Sequence, residues 1–441
     1  MSKFLVTGGR SLKGTIQTSG AKNVAMKVIL AGLLTDDKVV VRNIPLISSV
    51  YGTIDMVKKL GVNVRVGLDH SLTIQRNSVN SYTIPLELGG LYRTATMVIG
   101  PLLSRFGKAV VPNPGGCRIG KRPIDRHIEG LRALGAEIHY KNGFFFASCK
   151  KLHGASYTFS QNSHTGTETL ILAAVLAYGE TALSNAATEP EVDDLIAFLN
   201  SMGAKIKRTR ERTIVIHGVG KLHGTNYTIM PDRNEAVTFA IAAIATGGDV
   251  VVEGAEASNL KTFLSELTAI GAFWEKISPT SIRFKGGNRL SHSDIITRPH
   301  PGFMTDWQAP WALLMTQAMG DSTLHETVYE NRFEYVAELL KMGATITFYQ
   351  PEIRDPYVFY NFNWDDREKN AFHAIRIHGP TKLHNAVLEV TDLRAGATLV
   401  LAALIAKGES AILGIEHIDR GYESLEKRLE KIGANISREG D

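Results

Sequence analysis

One phrase recurs six times along the chain, and it dictates a repeating fold. An amphipathic stretch ends in an apolar residue, a glycine follows, then a small or β-branched residue, then alternating apolar residues. The copies are MVKKLGVNVRV from Met56, GLRALGAEIHY from Gly130, FLNSMGAKIKR from Phe198, ELTAIGAFWEK from Glu266, ELLKMGATITF from Glu338 and RLEKIGANISR from Arg428. Their glycines, Gly61, Gly135, Gly203, Gly271, Gly343 and Gly433, are spaced 74, 68, 68, 72 and 90 residues apart. Glycine just after a helix takes a left-handed conformation without a Cβ penalty, and the alternation that follows is that of a strand.

A second phrase precedes each copy: a helix of small and apolar residues, a Gly-containing turn and a short β-rich run, as in LILAAVLAYGETALSNAA and FAIAAIATGGDVVVEGA. A third precedes that, as in LKGTIQTSGAKN, LHGASYTFSQNS, LHGTNYTIMPDR and LHNAVLEVTDLR. Each unit therefore reads βαβαββ, a sheet with one face on helices. Three units packed around buried helices make a lobe, and six make two lobes of an α/β protein. The mid-chain break falls near Pro231. The first strand precedes unit one and is expected to cross to the second lobe.

The apolar runs, such as Leu170–Ala177 and Leu399–Ala406, fall well short of a membrane span. The start MSKFLVTGG reads as a strand and not as a targeting signal, so a cytoplasmic protein with no membrane partner is expected. With two cysteines, Cys117 and Cys149, a disulfide scaffold is excluded. A net charge of +5 over 441 residues suits anionic small molecules and is weak for a nucleic-acid binder.

Residues that depart from the repeat are the candidates for chemistry. SGAKN, Ser19–Asn23, opens a helix, where free N–H groups and Lys22 can hold an anion; a capped surface helix with a solvated lysine is the other reading. PNPGGCRIGKRPIDRH, Pro112–His127, is a long shaped loop in which Cys117 sits among Arg118, Lys121, Arg122 and Arg126. Neighbouring cations favour the thiolate, whereas most lone cysteines are inert. PGFMTDWQ places Asp306 at a helix start, as a stabilising carboxylate or a general base. TDLRAG and HIDRGYE carry Arg394 and Arg420, which suit phosphate and carboxylate or simple surface ion pairs. No phosphate-binding glycine loop and no zinc spacing occurs. His153, His223 and His384 lie in the LHG or LHN phrase and read as scaffold.

Taken together, SGAKN, PGGCRIGKRPID, TDWQAP, ETVYENRF, TDLRAG and HIDRGYE, in this order over nearly the whole chain, resemble the EPSP synthase family, on its UDP-N-acetylglucosamine enolpyruvyl transferase branch. The resemblance implies a two-lobed inside-out α/β barrel of six βαβαββ repeats, three per lobe. One lobe would span residues 22–231 with the Cys117 loop, the other residues 1–21 and 232–441, with the active site in the cleft. It implies transfer of the enolpyruvyl group of phosphoenolpyruvate to the 3′-hydroxyl of UDP-N-acetylglucosamine, phosphate release, and no metal or organic cofactor. Lys22 and Asn23 match contacts to phosphoenolpyruvate and the sugar nucleotide, and Arg93 matches an arginine reaching the substrate anions. Cys117 matches the proton donor, which forms an adduct with phosphoenolpyruvate and is alkylated by its mimic fosfomycin. Arg122, Pro123, Ile124 and Asp125 match the segment holding uridine diphosphate. Asp306 matches the carboxylate near the sugar hydroxyl, Val328 a backbone contact beside it, and Arg394 and Arg420 the arginines facing phosphoenolpyruvate.

Three departures stand out. Asn162–Glu168, NSHTGTE, replaces a Val- or Ala-rich stretch near uridine; Arg126 replaces an apolar residue; and the last spacing holds an aromatic, charged insertion, Tyr349–Asn370, for which a surface hairpin or partner-binding loop is the plain reading. Two rival functions stay open. One is a sister enolpyruvyl transferase with another nucleotide acceptor; the other is a nucleic-acid-processing protein of the RNA 3′-phosphate cyclase type. The oligomeric state is not readable.

Overall fold

The computed structural model describes residues 2–76, 79–115, 120–121 and 123–440. The chain forms two compact units. The first comprises Met1–Ser19 and Pro231–Asp441, and Gly120 and Lys121 group with it; the second comprises Gly20–Gly116 and Pro123–Met230. Gly120 and Lys121 thus part from the unit that flanks them in sequence.

All six repeat glycines adopt positive φ, between 81° and 100°. In each, the glycine N–H bonds the carbonyl three residues back, as Gly135 to Arg132 at 2.9 Å and Gly343 to Leu340 at 3.0 Å. In five copies the following alanine closes the longer bond, as Ala136 to Leu131 at 3.0 Å, which completes the Schellman geometry. The carbonyl just before the glycine then receives the chain as it starts the next phrase. Leu60 accepts from Asn80, Leu134 from His153, Met202 from His223, Ile270 from Ser291, Met342 from His384 and Ile432 from Lys13, all within 3.2 Å. The scaffold histidines have a definite task. A Cβ at Gly135, Gly203 or Gly343 would lie 2.5, 3.0 and 3.0 Å from the rings of His153, His223 and His384. The missing Cβ therefore serves two ends: the left-handed turn and the seat for the imidazole.

Within each unit the sheets repeat one order: a short strand parallel to its neighbour, then two antiparallel partners. In the first unit these are Lys13–Gln17, Asp249–Glu253, Ser281–Lys285 and Phe273–Ser278; then Asp294–Ile296, Gly320–His325, Ala374–Gly379 and Thr345–Tyr349; then Val387–Glu389, Glu409–Leu413, Lys3–Thr7 and Asn435–Glu439. In the second they are Asn226–Thr228, Val39–Arg42, Leu72–Arg76 and Val62–Val66; then Lys108–Pro112, Phe144–Ser148 and Glu137–Lys141; then Ser156–Thr158, Glu180–Ser184, Thr213–His217 and Lys205–Arg210. In the three-stranded sheet the parallel strand shrinks to one bridge, Thr83 to Val110.

The first strand, Lys3–Thr7, lies between Glu409–Leu413 and Asn435–Glu439 in the sheet of the last repeat, as expected. One assignment from the third phrase is corrected. KGTIQ leads into the helix at Lys22 but pairs with Asp249–Glu253, in the fourth repeat's sheet. The strand beside Val39–Arg42 is instead Asn226–Thr228. The strands that open repeats one and four are exchanged.

The helices Arg233–Ala245 and Leu393–Ile405 are buried on all sides over twelve of their thirteen residues each. That explains their lack of a polar face. Each fully buried Leu, Ile or Phe contributes about 1.5–3 kcal/mol, and the small alanines between them let neighbouring helices approach.

The Tyr349–Asn370 insertion lies in the connection between the antiparallel strands Thr345–Tyr349 and Ala374–Gly379. It holds two helical turns, Pro356–Phe359 and Trp364–Asp366, on the end of the Gly320–His325 strand. Tyr360 and Phe362 are buried, Trp364 stacks on Tyr360 with centroids 4.7 Å apart, and the His373 ring lies 5.2–5.5 Å from Tyr360, Phe362 and Trp364. The Tyr360 hydroxyl meets Nε2 of His325 at 2.9 Å. Burial pushes both histidines down to about 4, helped by His373 and Arg298 around His325 and by Arg367 near His373. The folded state therefore keeps them neutral where the unfolded chain takes up protons, below about pH 6.5. Stability is expected to fall as pH drops from about 6.5 to about 4, by on the order of 2–3 kcal/mol per histidine. Urea titrations across that interval check it, and His373→Phe should flatten the slope whatever it does to absolute stability.

Candidate active site

In the first unit, polar residues collect at the starts of the buried helices. Asp232 caps Arg233–Ala245, its Oδ1 accepting from the N–H groups of Asn234 at 2.8 Å and Glu235 at 3.3 Å. Asp392 caps Leu393–Ile405 in the same way, through Arg394 at 2.8 Å and Ala395 at 3.2 Å. Both are side-chain N-caps, which a helix with a buried start requires.

Asp306 sits in the turn Thr305–Trp307 that leads into Gln308–Met315. Its Oδ1 accepts from Nη2 of Arg332 at 2.8 Å and its Oδ2 from Nε of Arg394 at 3.3 Å. Both arginine side chains are 6% exposed and Asp306 is 26% exposed, so the carboxylate alone of the three keeps an open side. Burial works against both guanidinium charges. Asp306 and Asp392 around Arg332, and Tyr422, Asp306 and Asp232 around Arg394, more than offset it, and both arginines are held above their ordinary range. Arg394 also donates from Nη1 to the Tyr422 hydroxyl at 2.9 Å, which lies 2.7 Å from the Thr238 hydroxyl. Arg420 is half-buried in the turn two residues before Tyr422.

Glu326 ties this turn to the next segment. It is 1% exposed. Its Oε2 accepts from Thr305 Oγ1 and Gln308 Nε2, both at 2.8 Å, and its Oε1 from the N–H groups of Val328 at 2.7 Å and Tyr329 at 3.1 Å. The expected backbone contact at Val328 thus has its N–H committed to Glu326. Sequence reasoning missed both Glu326 and Arg332. Both lie in the ETVYENRF phrase, where charged residues follow directly on a strand.

In the second unit, Lys22 and Asn23 open the helix Lys22–Ala31, both partly exposed. Gly20 of the same motif presses on backbone: a Cβ there would lie 1.6 Å from the Asn43 carbonyl oxygen. Arg93, at the start of Thr94–Met97, donates from Nη2 to the carbonyl of Pro123 at 3.1 Å. Ile124 and Asp125 follow, and Asp125 begins the helix Asp125–Ala133 with its Oδ1 on the Arg126 N–H at 2.9 Å. The structure therefore joins Arg93 to the 123–125 segment. The departing Asn162–Glu168 segment packs beside that segment. His127 Nε2 meets Thr165 Oγ1 at 3.0 Å, the Arg126 guanidinium bonds Gln161, and the Ser163 hydroxyl accepts from the Gly166 N–H at 3.1 Å as the cap of His164–Ala174. Deeper in, Lys27 and Glu168 form an ion pair at 3.1 Å, with side chains 3% and 0% exposed, and His164 Nε2 meets Glu168 at 3.2 Å. Burial opposes the charge on His164, but Glu168 and Glu189 raise its pKa above the ordinary histidine value.

Cys117 and Arg122 lie outside the described residues. Among the described residues no cluster of three or more His, Cys, Asp or Glu is placed to hold a metal ion, and no helix is long and apolar enough to cross a membrane.

The family model of EPSP synthase (3-phosphoshikimate 1-carboxyvinyltransferase) matches residues 6–429. The chain is 43% identical over 438 residues to UDP-N-acetylglucosamine 1-carboxyvinyltransferase 3 of Caldanaerobacter subterraneus subsp. tengcongensis, covering 99% of each chain. It is 42% identical over 439 residues to UDP-N-acetylglucosamine 1-carboxyvinyltransferase of Idiomarina loihiensis, again covering 99% of each. Among solved structures it is similar to the enolpyruvyl transferase NikO from Streptomyces tendae, with a TM-score of 0.86 at 22% identity over 99% of both chains. EPSP synthase from Acinetobacter baumannii follows at 0.75 and 21%, over all of both chains. These structural likenesses show the fold, the inside-out α/β barrel built from βαβαββ repeats. The chain belongs to the EPSP synthase family and stands within it among the UDP-N-acetylglucosamine 1-carboxyvinyltransferases.

Proposed function

We propose that the chain transfers the enolpyruvyl group of phosphoenolpyruvate to the 3′-hydroxyl of UDP-N-acetylglucosamine and releases phosphate, in the cytoplasm, as the opening step of peptidoglycan precursor synthesis. The observation that carries this reading is Asp306 held between two buried, permanently charged arginines, in a chain whose relatives share that activity's name over 99% of their length.

The chemistry assigns a task to each residue. The sugar hydroxyl oxygen attacks C2 of phosphoenolpyruvate while C3 takes a proton, and the tetrahedral adduct then loses phosphate and a C3 proton to restore the double bond. Phosphoenolpyruvate brings a phosphate and a carboxylate, so Lys22, Arg122, Arg394 and Arg420 supply fixed positive charge. Arg394 presently donates to Asp306. A substrate anion that engages Arg394 would release Oδ2 to accept the attacking hydroxyl's proton, so binding itself arms the base. Cys117 delivers the proton to C3. Arg93, through the Pro123 carbonyl, steadies Pro123, Ile124 and Asp125 against uridine diphosphate, and Asn23 faces the sugar nucleotide. With its N–H on Glu326, Val328 offers its carbonyl to the acceptor.

A coupled phosphate-release assay tests the reading. Phosphate should appear only when phosphoenolpyruvate and UDP-N-acetylglucosamine are both present, and fosfomycin should abolish it by alkylating Cys117. Turnover with uridine monophosphate in place of the sugar nucleotide would move the chain to a sister activity. Full activity of Cys117→Ser across the pH range would remove the cysteine from the proton-donor role.

A further inference from the structure

The Tyr349–Asn370 insertion lies outside everything the resemblance explains, and although much of it is exposed, Tyr360 and Phe362 anchor it in the first unit. Tyr360 is anchored to His325 through its hydroxyl, and the insertion's backbone is stitched to the same segment: the Asn361 N–H reaches the Thr327 carbonyl at 2.7 Å. Trp364 lies on the Tyr360 ring at an interplanar angle of 12°, and the Arg367 guanidinium covers the Trp364 ring at 3.6 Å. Asp366 is held on this platform. Its N–H bonds the Asn363 carbonyl at 2.9 Å, and its Oδ2 accepts from the Asn363 side chain at 3.1 Å.

The other oxygen of Asp366 faces Lys121, with Nζ 3.7 Å from Oδ1. Lys121 belongs to the same motif as Cys117, four residues on. Its neighbour Gly120 is seated independently: φ is 130°, and a Cβ there would lie 1.8 Å from Oε2 of Glu330, a side chain only 4% exposed. Two consecutive residues of that motif therefore meet two different groups of the first unit, Asp366 of the insertion and Glu330, two residues before Arg332.

We infer that Asp366 is a positioning residue: the insertion presents a carboxylate that holds Lys121, four residues after Cys117 in the sequence, and the function of that motif depends on the pair. The inference rests on the proposed activity for its meaning, although the coupling itself does not. The pair is exposed, 63% at Lys121 and 35% at Asp366, so solvent screening limits its effect to about fivefold at most. A packed platform keeps the effect near that limit, since one partner loses little freedom on pairing.

The test is a double-mutant cycle read by two measurements. Asp366→Lys should lower kcat/KM for phosphoenolpyruvate about fivefold with an unchanged melting temperature. Lys121→Asp should do the same, and the charge-swapped double variant should recover to within about twofold of the original. The rate of Cys117 alkylation by iodoacetamide, which needs no turnover, should show the same coupling, and about 1 M salt should erase it. Single variants indistinguishable from the original in both measurements, or a double variant showing only the product of the two single effects, would overturn the inference. Coupling in alkylation without any phosphate release would instead leave the positioning role standing and reject the proposed reaction.

Discussion

Asp306→Asn should lower kcat by about 10³-fold, within the 10²–10⁴ range that a positioned general base contributes, while KM for either substrate changes little. The amide keeps the shape and can still accept one hydrogen bond, but it cannot take the proton of the attacking hydroxyl. A second effect follows from the neighbours. Arg332 and Arg394 are each 6% exposed and would lose their shared counter-charge. Removing one partner of a buried pair costs about 3–5 kcal/mol; Asp306 is a quarter open to solvent, so about 1–3 kcal/mol is expected. Steady-state kinetics and urea unfolding on the same preparation separate the two. If kcat stays within tenfold while stability drops, Asp306 is an arginine clamp and not the base.

The largest effect on stability should come from Lys27→Met. Glu168 is fully buried and Lys27 nearly so, and loss of the ammonium leaves a buried carboxylate with His164 as its ion-pair partner among the described residues. The expected cost is about 3–5 kcal/mol. The double variant Lys27→Met/Glu168→Leu should regain most of it, because an apolar pair of similar volume avoids desolvating two charges. The remaining partner makes the single variant sensitive to pH. His164 has a raised folded pKa. Its contribution is thus fully present below the unfolded value, about 6.5, and is lost as pH rises through the folded one. Lys27→Met should accordingly be less stable at pH 8 than at pH 6 by more than the parent chain is. An equal loss at both pH values would mean that Glu168 finds another partner.

The repeat was legible because its signal is backbone geometry. A left-handed glycine after a helix is required by local sterics at Gly61, Gly135, Gly203, Gly271, Gly343 and Gly433 alike, so the same letters mark the same turn six times. The exchange of Lys13–Gln17 and Asn226–Thr228 is not marked in their own strand patterns, although the family resemblance grouped residues 1–21 with 232–441. Both segments have the same strand pattern, and which sheet edge receives each is decided by long-range pairing. The site divides similarly. Asp306 and Arg394 stand out because they break the repeat at helix starts. Glu326 is invisible by that criterion, since its role comes from four donors that only the folded chain assembles around it. The insertion read as surface because it is rich in charge and aromatic rings; that His373 would be enclosed by those rings depends on which of them stack.

Placing Lys3–Thr7 and Lys13–Gln17 in sheets built mostly from the far half of the sequence has a consequence for biosynthesis. The second unit owns all of its strands once Asn226–Thr228 has left the ribosome, and can fold while translation continues. The amino-terminal strands of the first unit must wait, one for roughly 230 further residues and the other for roughly 400, with their hydrogen-bonding edges open to any chain nearby. A nascent chain stalled between repeats four and six would therefore expose Lys3–Thr7. Arrest of translation in that window, rather than damage to the finished protein, is where this architecture is most open to aggregation and to holdase chaperones.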